Sequence, residues 1–172
     1  MKMKPRYKKT ELGSSSGQAL IEVLVAISVL TVGFLGIVTL LSRALALSRV
    51  VSDNYTATYL AAEGIEVTKN IVDAQFMGAR RGWNSTVSHG SYEVDYDSTS
   101  FTNYAGRNLL YDAQTRLYSY KNGVLTPFTR KVTITYVGSG QQEIIVDSEV
   151  DWIARGGGKS AVLLEDHFYN WR

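Results

Sequence analysis

The chain has 172 residues, 45% apolar and 20% charged, which is ordinary for a folded protein and leaves room for one modest domain plus an anchor. No cysteine is present, which excludes disulfides, thiol catalysis and cysteine-ligated metals. The net charge of +2 is uneven: residues 1–17 carry five bases against Glu11, and the rest carries 13 bases against 15 acids. The body is therefore mildly acidic and does not suggest the basic face that nucleic-acid binding would need.

Residues 1–17 read as a basic leader that ends in the turn-like run Gly13-Ser14-Ser15-Ser16-Gly17. From Gln18 to Leu47 the chain is almost wholly apolar. Val23 to Ser42 is a stretch of 20 residues without a charge, about 30 Å of helix and the thickness of a bilayer core. Its basic flank predicts a single pass with the N-terminus in the cytoplasm and the C-terminal part exported. The run is too long for a secretory signal and no small-residue cleavage site follows it, so it is expected to persist in the membrane.

No proline interrupts residues 6–126, and over 48–74 the pattern becomes amphipathic. Leu47, Val51, Tyr55, Ala62, Ile65 and Val72 are expected on one face, with Arg49, Ser52, Asp53 and Glu63 on the other. A single helix from about Gln18 to about Ala74 would be roughly 85 Å long. Gly64 marks a place where it could break.

Residues 75–172 read as an exported domain of strands and turns. Tyr92, Val94 and Tyr96 alternate with Glu93, Asp95 and Asp97, the period of a half-buried strand. Asn122-Gly123 signals a hairpin between Tyr118-Tyr120 and Val124-Leu125. Lys131–Val137, Ile144–Trp152 and Ala161–Phe168, joined by glycine-rich turns, predict an antiparallel meander. Residues 75–90 and 97–117 read as long loops. The fold class is α+β: one long N-terminal helix with an antiparallel sheet on its exported half.

The stretch Ser16-Gly17-Gln18-Ala19-Leu20-Ile21-Glu22-Val23-Leu24-Val25 carries the functional signal. A glycine ends a basic leader, and a lone carboxylate follows five residues later inside an apolar helix. Such a charge costs about 2.5–3.5 kcal/mol at a bilayer centre and less at the interface, so it ordinarily has a partner and a role. The plainer alternative is a carboxylate at headgroup depth, favoured by the helix dipole.

These residues resemble the class III signal of type IV pilins and of type II secretion pseudopilins. Ile21–Ala26 and Val29–Gly36 are similar to minor pilins of the pilus-modification (PilV) class, and Gly-Gln-Ala-Leu-Ile-Glu is also similar to the TadE-like pseudopilins. The likeness covers about 55 residues; beyond them only the layout of a sheet after the helix matches. It implies cleavage after Gly17 by prepilin peptidase and methylation of the new N-terminus at Gln18. It also implies pairing of Glu22 with the terminal amine of a neighbouring subunit, other pilin subunits as partners, and passage from the cytoplasmic membrane into a filament. Gln18 stands where pilins usually carry Phe or Met, and both the mid-membrane proline and the C-terminal cysteine pair of many pilins are absent. The alternatives are an unprocessed single-pass protein with an exported binding domain and a membrane-anchored exported enzyme, for which the sequence offers no candidate catalytic cluster.

No catalytic cluster or cofactor site is expected. Gly13–Gly17 satisfies G-x-S-x-G, but a basic leader precedes it where a buried strand is required. Gly158-Lys159-Ser160 resembles the end of a P-loop but reads as a turn, since Ile153 replaces the first glycine. His89 and His167 have no ligand spacing around them. Asp95, Asp97 and Thr99 place oxygens at alternate positions, as calcium loops do; no glycine or distal glutamate completes a loop, so solvent-facing strand carboxylates are expected. Asn84-Ser85-Thr86 is a glycosylation sequon.

Overall fold

The computed structural model describes residues 15–79, 87–138 and 143–169. Helix α1 runs from Ser15 to Ala79, followed by seven strands: β1 (Gly90–Glu93), β2 (Thr102–Asn103), β3 (Asn108–Asp112), β4 (Leu117–Ser119), β5 (Val124–Val137), β6 (Glu143–Ile153) and β7 (Lys159–Tyr169). The chain forms two compact units, Met1–Ser48 and Arg49–Arg172.

The helix starts and ends beyond the expected limits. Ser15 to Gly17 are helical instead of a turn, and the end falls at Ala79 instead of near Ala74. Without proline, nothing removes a backbone donor along this length. Gly64 does not break it, because its lack of a side chain is used by packing. A Cβ at Gly64 would come closer than 3.0 Å to Ser148 Oγ, 3.2 Å from Arg130 Cδ and 3.3 Å from Val132 Cγ2.

In the second unit β5, β6 and β7 form the expected antiparallel meander, with Val132 opposite Ser148 and Ser148 opposite Leu164. The other edge of β5 is shared end to end: residues 132–134 pair with β1, and residues 124–129 pair with β3. β2 lies outside β1, and β4 outside β3. Residues 97–117 therefore contain strands where a loop was expected. They are short, so periodicity over two to five residues could not register.

The Asn122-Gly123 hairpin is also corrected. Tyr118 pairs with Tyr111 of β3, and β3 in turn pairs with β5, so β4 and β5 are not neighbours. The chain crosses the end of β3 to reach β5. Gly123 (φ 131°) suits that crossing, since a Cβ there would lie 2.5 Å from the Tyr111 carbonyl oxygen.

One sheet face packs on the helix. Phe128, Arg130, Val132 and Ile134 of β5 alternate inward, as do Ile144, Val146, Ser148, Val150 and Trp152 of β6. Two apolar clusters result. Ala57, Leu60 and Ala61 meet Leu109, Phe128, Val150 and Trp152, while Ile65, Val67, Ile71 and Val72 meet Val94, Val132, Ile134, Ile144 and Val146. Between them in sequence lie Gly64, Arg130 and Ser148.

The helix face differs from the expected one. Ile65 and Val72 are buried, but Leu47 and Tyr55 are each 64% exposed and Val51 is 45% exposed. The sheet lies against small residues, Ala57, Ala61, Gly64 and Thr68, which let it approach the helix backbone. A pattern built on large side chains misses such a face. The 92–97 alternation fails as well. β1 stops at Glu93, Tyr92 through Asp95 are all buried, and Tyr96 is exposed.

Candidate functional site

In the first unit Gly17, Gln18 and Glu22 lie on α1, within its first turns, and all three are exposed. Gly17 has no atom within 4 Å of a Cβ position, so nothing in the fold requires glycine there. The described residues contain one helix, Gly17–Gln75, long and apolar enough to cross a membrane. Between Leu20 and Leu47 its exposed surface is apolar apart from Glu22, Arg43 and a few hydroxyls, with Leu20 65% exposed and Leu30 and Val32 72% each.

The hydroxyls in this apolar run are satisfied locally. Ser28 donates to the Leu24 carbonyl at 2.7 Å, Thr31 to Ile27 at 2.7 Å, Thr39 to Leu35 at 2.8 Å and Ser42 to Val38 at 2.9 Å. Bonds of this kind let a hydroxyl enter an apolar medium at little cost. Glu22 differs. Among the described residues nothing pairs with its carboxylate. The next base along the helix is Arg43, about 30 Å further on.

In the second unit Asp95 and Asp97 are brought together, but around a side chain. Lys121 Nζ lies 2.6 Å and 2.7 Å from the two Asp97 oxygens and 3.9 Å from Asp95 Oδ2. The ammonium occupies the place a cation would take, and Thr99 contributes nothing to it. Asp95 is buried, not solvent-facing, and accepts from the Tyr96 N–H at 3.0 Å. No cluster of three or more His, Asp or Glu side chains suited to a metal occurs among the described residues.

Beside Lys121 a small cleft of about 160 Å³ is lined by Glu93, Asp95, Arg107 and Tyr120. The Glu93 carboxylate accepts from the N–H groups of Ala105 and Arg107, each at 3.0 Å, and from Arg107 Nε at 2.7 Å. Burial pushes its pKa up, yet these bonds outweigh burial and hold it below the usual carboxylate range. Arg107 also lies 4.7 Å over the Tyr120 ring, and burial pushes the Tyr120 hydroxyl up to about 12. The charges lining the cleft are thus paired with one another, in bonds that tie the 104–107 segment to β1.

No family model, curated protein or solved structure matches this chain. Ser15 lies in the helix and not at a strand end, and Arg155–Gly158 forms the turn before β7. His89 and His167 are not brought together as ligands: His167 is bonded by Glu143 and Glu165. The sequon at 84–86 and the leader up to residue 14 lie outside the described residues.

Sequence reasoning passed over Arg130, the largest fully buried side chain. Its Nη1 donates to the Leu60 carbonyl at 3.0 Å and to Glu63 Oε1 at 2.9 Å, and Nη2 donates to the Val94 carbonyl at 2.5 Å. The position alternates in step with Phe128 and Val132, which was the available signal of an inward-facing charge.

Proposed function

We propose that this chain is a pilin-like structural subunit and not an enzyme. It enters the cytoplasmic membrane as a precursor with its N-terminus inside. Prepilin peptidase removes residues 1–17, Gln18 becomes the methylated N-terminus, and the subunit joins a type IV pilus or pseudopilus as a minor component through its helix. One observation carries the reading: in the apolar run 18–47 Glu22 is the one carboxylate, nothing among the described residues pairs with it, and the four hydroxyls of that run are satisfied locally. A charge so placed gains most from a partner supplied by another molecule, and cleavage after Gly17 would create one, an amine at Gln18.

The test is Glu22→Ala in the parent cell. Intact-mass analysis should find both proteins starting at Gln18, because the leader and glycine are unchanged. Filament incorporation of the variant should fall at least tenfold, the size of effect that about 1.4 kcal/mol produces. A parent still starting at Met1, or a variant incorporated as well as the parent, refutes the reading.

A further inference from the structure

The open face of the sheet carries a cross-strand ladder of titratable groups on β6 and β7. His167 Nδ1 lies 2.5 Å from Glu143 Oε1, and its Nε2 lies 2.9 Å from Glu165 Oε1. Glu165 stands directly opposite Asp147, two acids at one rung. An imidazole with a carboxylate on each nitrogen has a definite proton requirement. Neutral imidazole carries one N–H, so one carboxylate would face a lone pair. Both bonds exist together only when the ring is an imidazolium or a carboxyl carries the extra proton. We propose that this ladder is a pH-sensitive clasp on the edge strand β7, closed when His167 is protonated and weakened when it is not.

The position makes the clasp consequential. Among the described residues β7 is bonded to β6 along one side only, and its inward residues Val162, Leu164 and Phe168 cover the rims of both apolar clusters. The groups facing the imidazole are mostly acidic: Glu143 and Asp147 from β6 and Glu165 from β7, with Tyr169 stacked on the ring at 6.2 Å; Asp166, on the other face, accepts only from the His167 backbone N–H at 2.8 Å. The nearest cation on β5, Lys131, is engaged by Glu149 at 2.5 Å. Ile145, apolar, lies opposite His167 itself.

The signs agree. The bonds to Glu143 and Glu165 raise the His167 pKa, so its contribution is complete below about 6.5 and is lost as pH rises through the raised value. The bond to His167 chiefly lowers Glu143, whose contribution is present above the ordinary glutamate range. Burial, then Glu165, raises Asp147; a raised acid favours the folded state at low pH, so its ionisation weakens the rung in the same direction as His167.

The test is amide exchange on the full chain in detergent micelles between pH 6 and 8.5, corrected for intrinsic rates and read by peptide. Protection of 159–169 relative to 129–137 should fall roughly two- to fivefold with rising pH, the range of exposed ion pairs. His167→Gln should abolish the pH dependence. Equal change in both strands, or the same dependence in the variant, overturns the clasp. Should the variant fail to fold, NMR titration of the parent imidazole decides: a pKa above 6.5 supports the clasp, and one at or below 6.5 overturns it.

Discussion

Gly64 offers the most direct test of how the helix meets the sheet. In an exposed helix, replacing glycine by alanine gains about 1 kcal/mol. Here the new methyl would lie under 3.0 Å from Ser148 Oγ and at 3.2–3.3 Å from carbons of Arg130 and Val132, all on inward positions of β5 and β6. Overpacking of this kind costs about 1–3 kcal/mol, so Gly64→Ala should lose about 0–2 kcal/mol net in place of the gain. Ser148 supplies the second half of the test. Its hydroxyl is buried without a hydrogen-bond partner, so Ser148→Ala should be neutral or stabilising by about 1 kcal/mol. The double variant puts the new methyl where the hydroxyl was, and the two changes should couple by about 2 kcal/mol. Urea unfolding of the Arg49–Arg172 unit, followed by circular dichroism, gives all four corners of the cycle. A Gly64→Ala variant that is more stable by itself, or a cycle that is additive, would refute the close approach.

Other outcomes follow from the same packing. A fragment from Arg49 should be soluble and monomeric, whereas one starting at Gln75 bares the sheet's inner face and should aggregate in size-exclusion chromatography. Arg130→Ala should cost about 3–5 kcal/mol in urea unfolding, since it orphans the Val94 carbonyl and the Glu63 carboxylate; Arg130→Met, which keeps volume, should cost less. Glu93, with its lowered pKa, stabilises the fold above pH 4.5, and that contribution is lost as pH falls through the lowered value. The gap in urea midpoint between parent and Glu93→Gln should therefore be wide at pH 7 and narrow in acid; a constant gap would contradict the assignment.

What could be read in the chain, and what could not, divides by the range of the interaction. The membrane-length run was legible as 20 consecutive residues without a charge, and the meander of β5 to β7 as alternation sustained over seven to nine residues in each strand. The small strands β2 and β4 were not, since two or three residues carry no period and they exist only through pairing with β1 and β3. The Asn-Gly signal marked a turn correctly but not its partners, because local turn chemistry does not say which strand lies between the two it joins. The calcium-like spacing of Asp95 and Asp97 had its answer in Lys121, 24 residues beyond Asp97. The Gly17–Glu22 spacing was visible, but the role proposed for it involves a second molecule, which no single chain contains.

Arg130 and Glu22 are two charges in apolar surroundings, and they are treated in opposite ways. Arg130 is fully buried, and the fold supplies two carbonyls and a carboxylate around it. Those bonds offset desolvation and reward only one seating of residues 60–63 on β5 and on the segment that follows β1, since a shift of one residue would misalign them. Glu22 has no such provision among the described residues, though it lies on the same helix. In the apolar run 18–47 Ser28, Thr31, Thr39 and Ser42 are satisfied locally, whereas the Glu22 carboxylate has no partner among the described residues. It sits five residues after the glycine where the proposed cut would create an amine. The same physics then applies between molecules: a pair that is costly when broken and directional when made would hold one helix in register against the next, as Arg130 holds this helix against its own sheet.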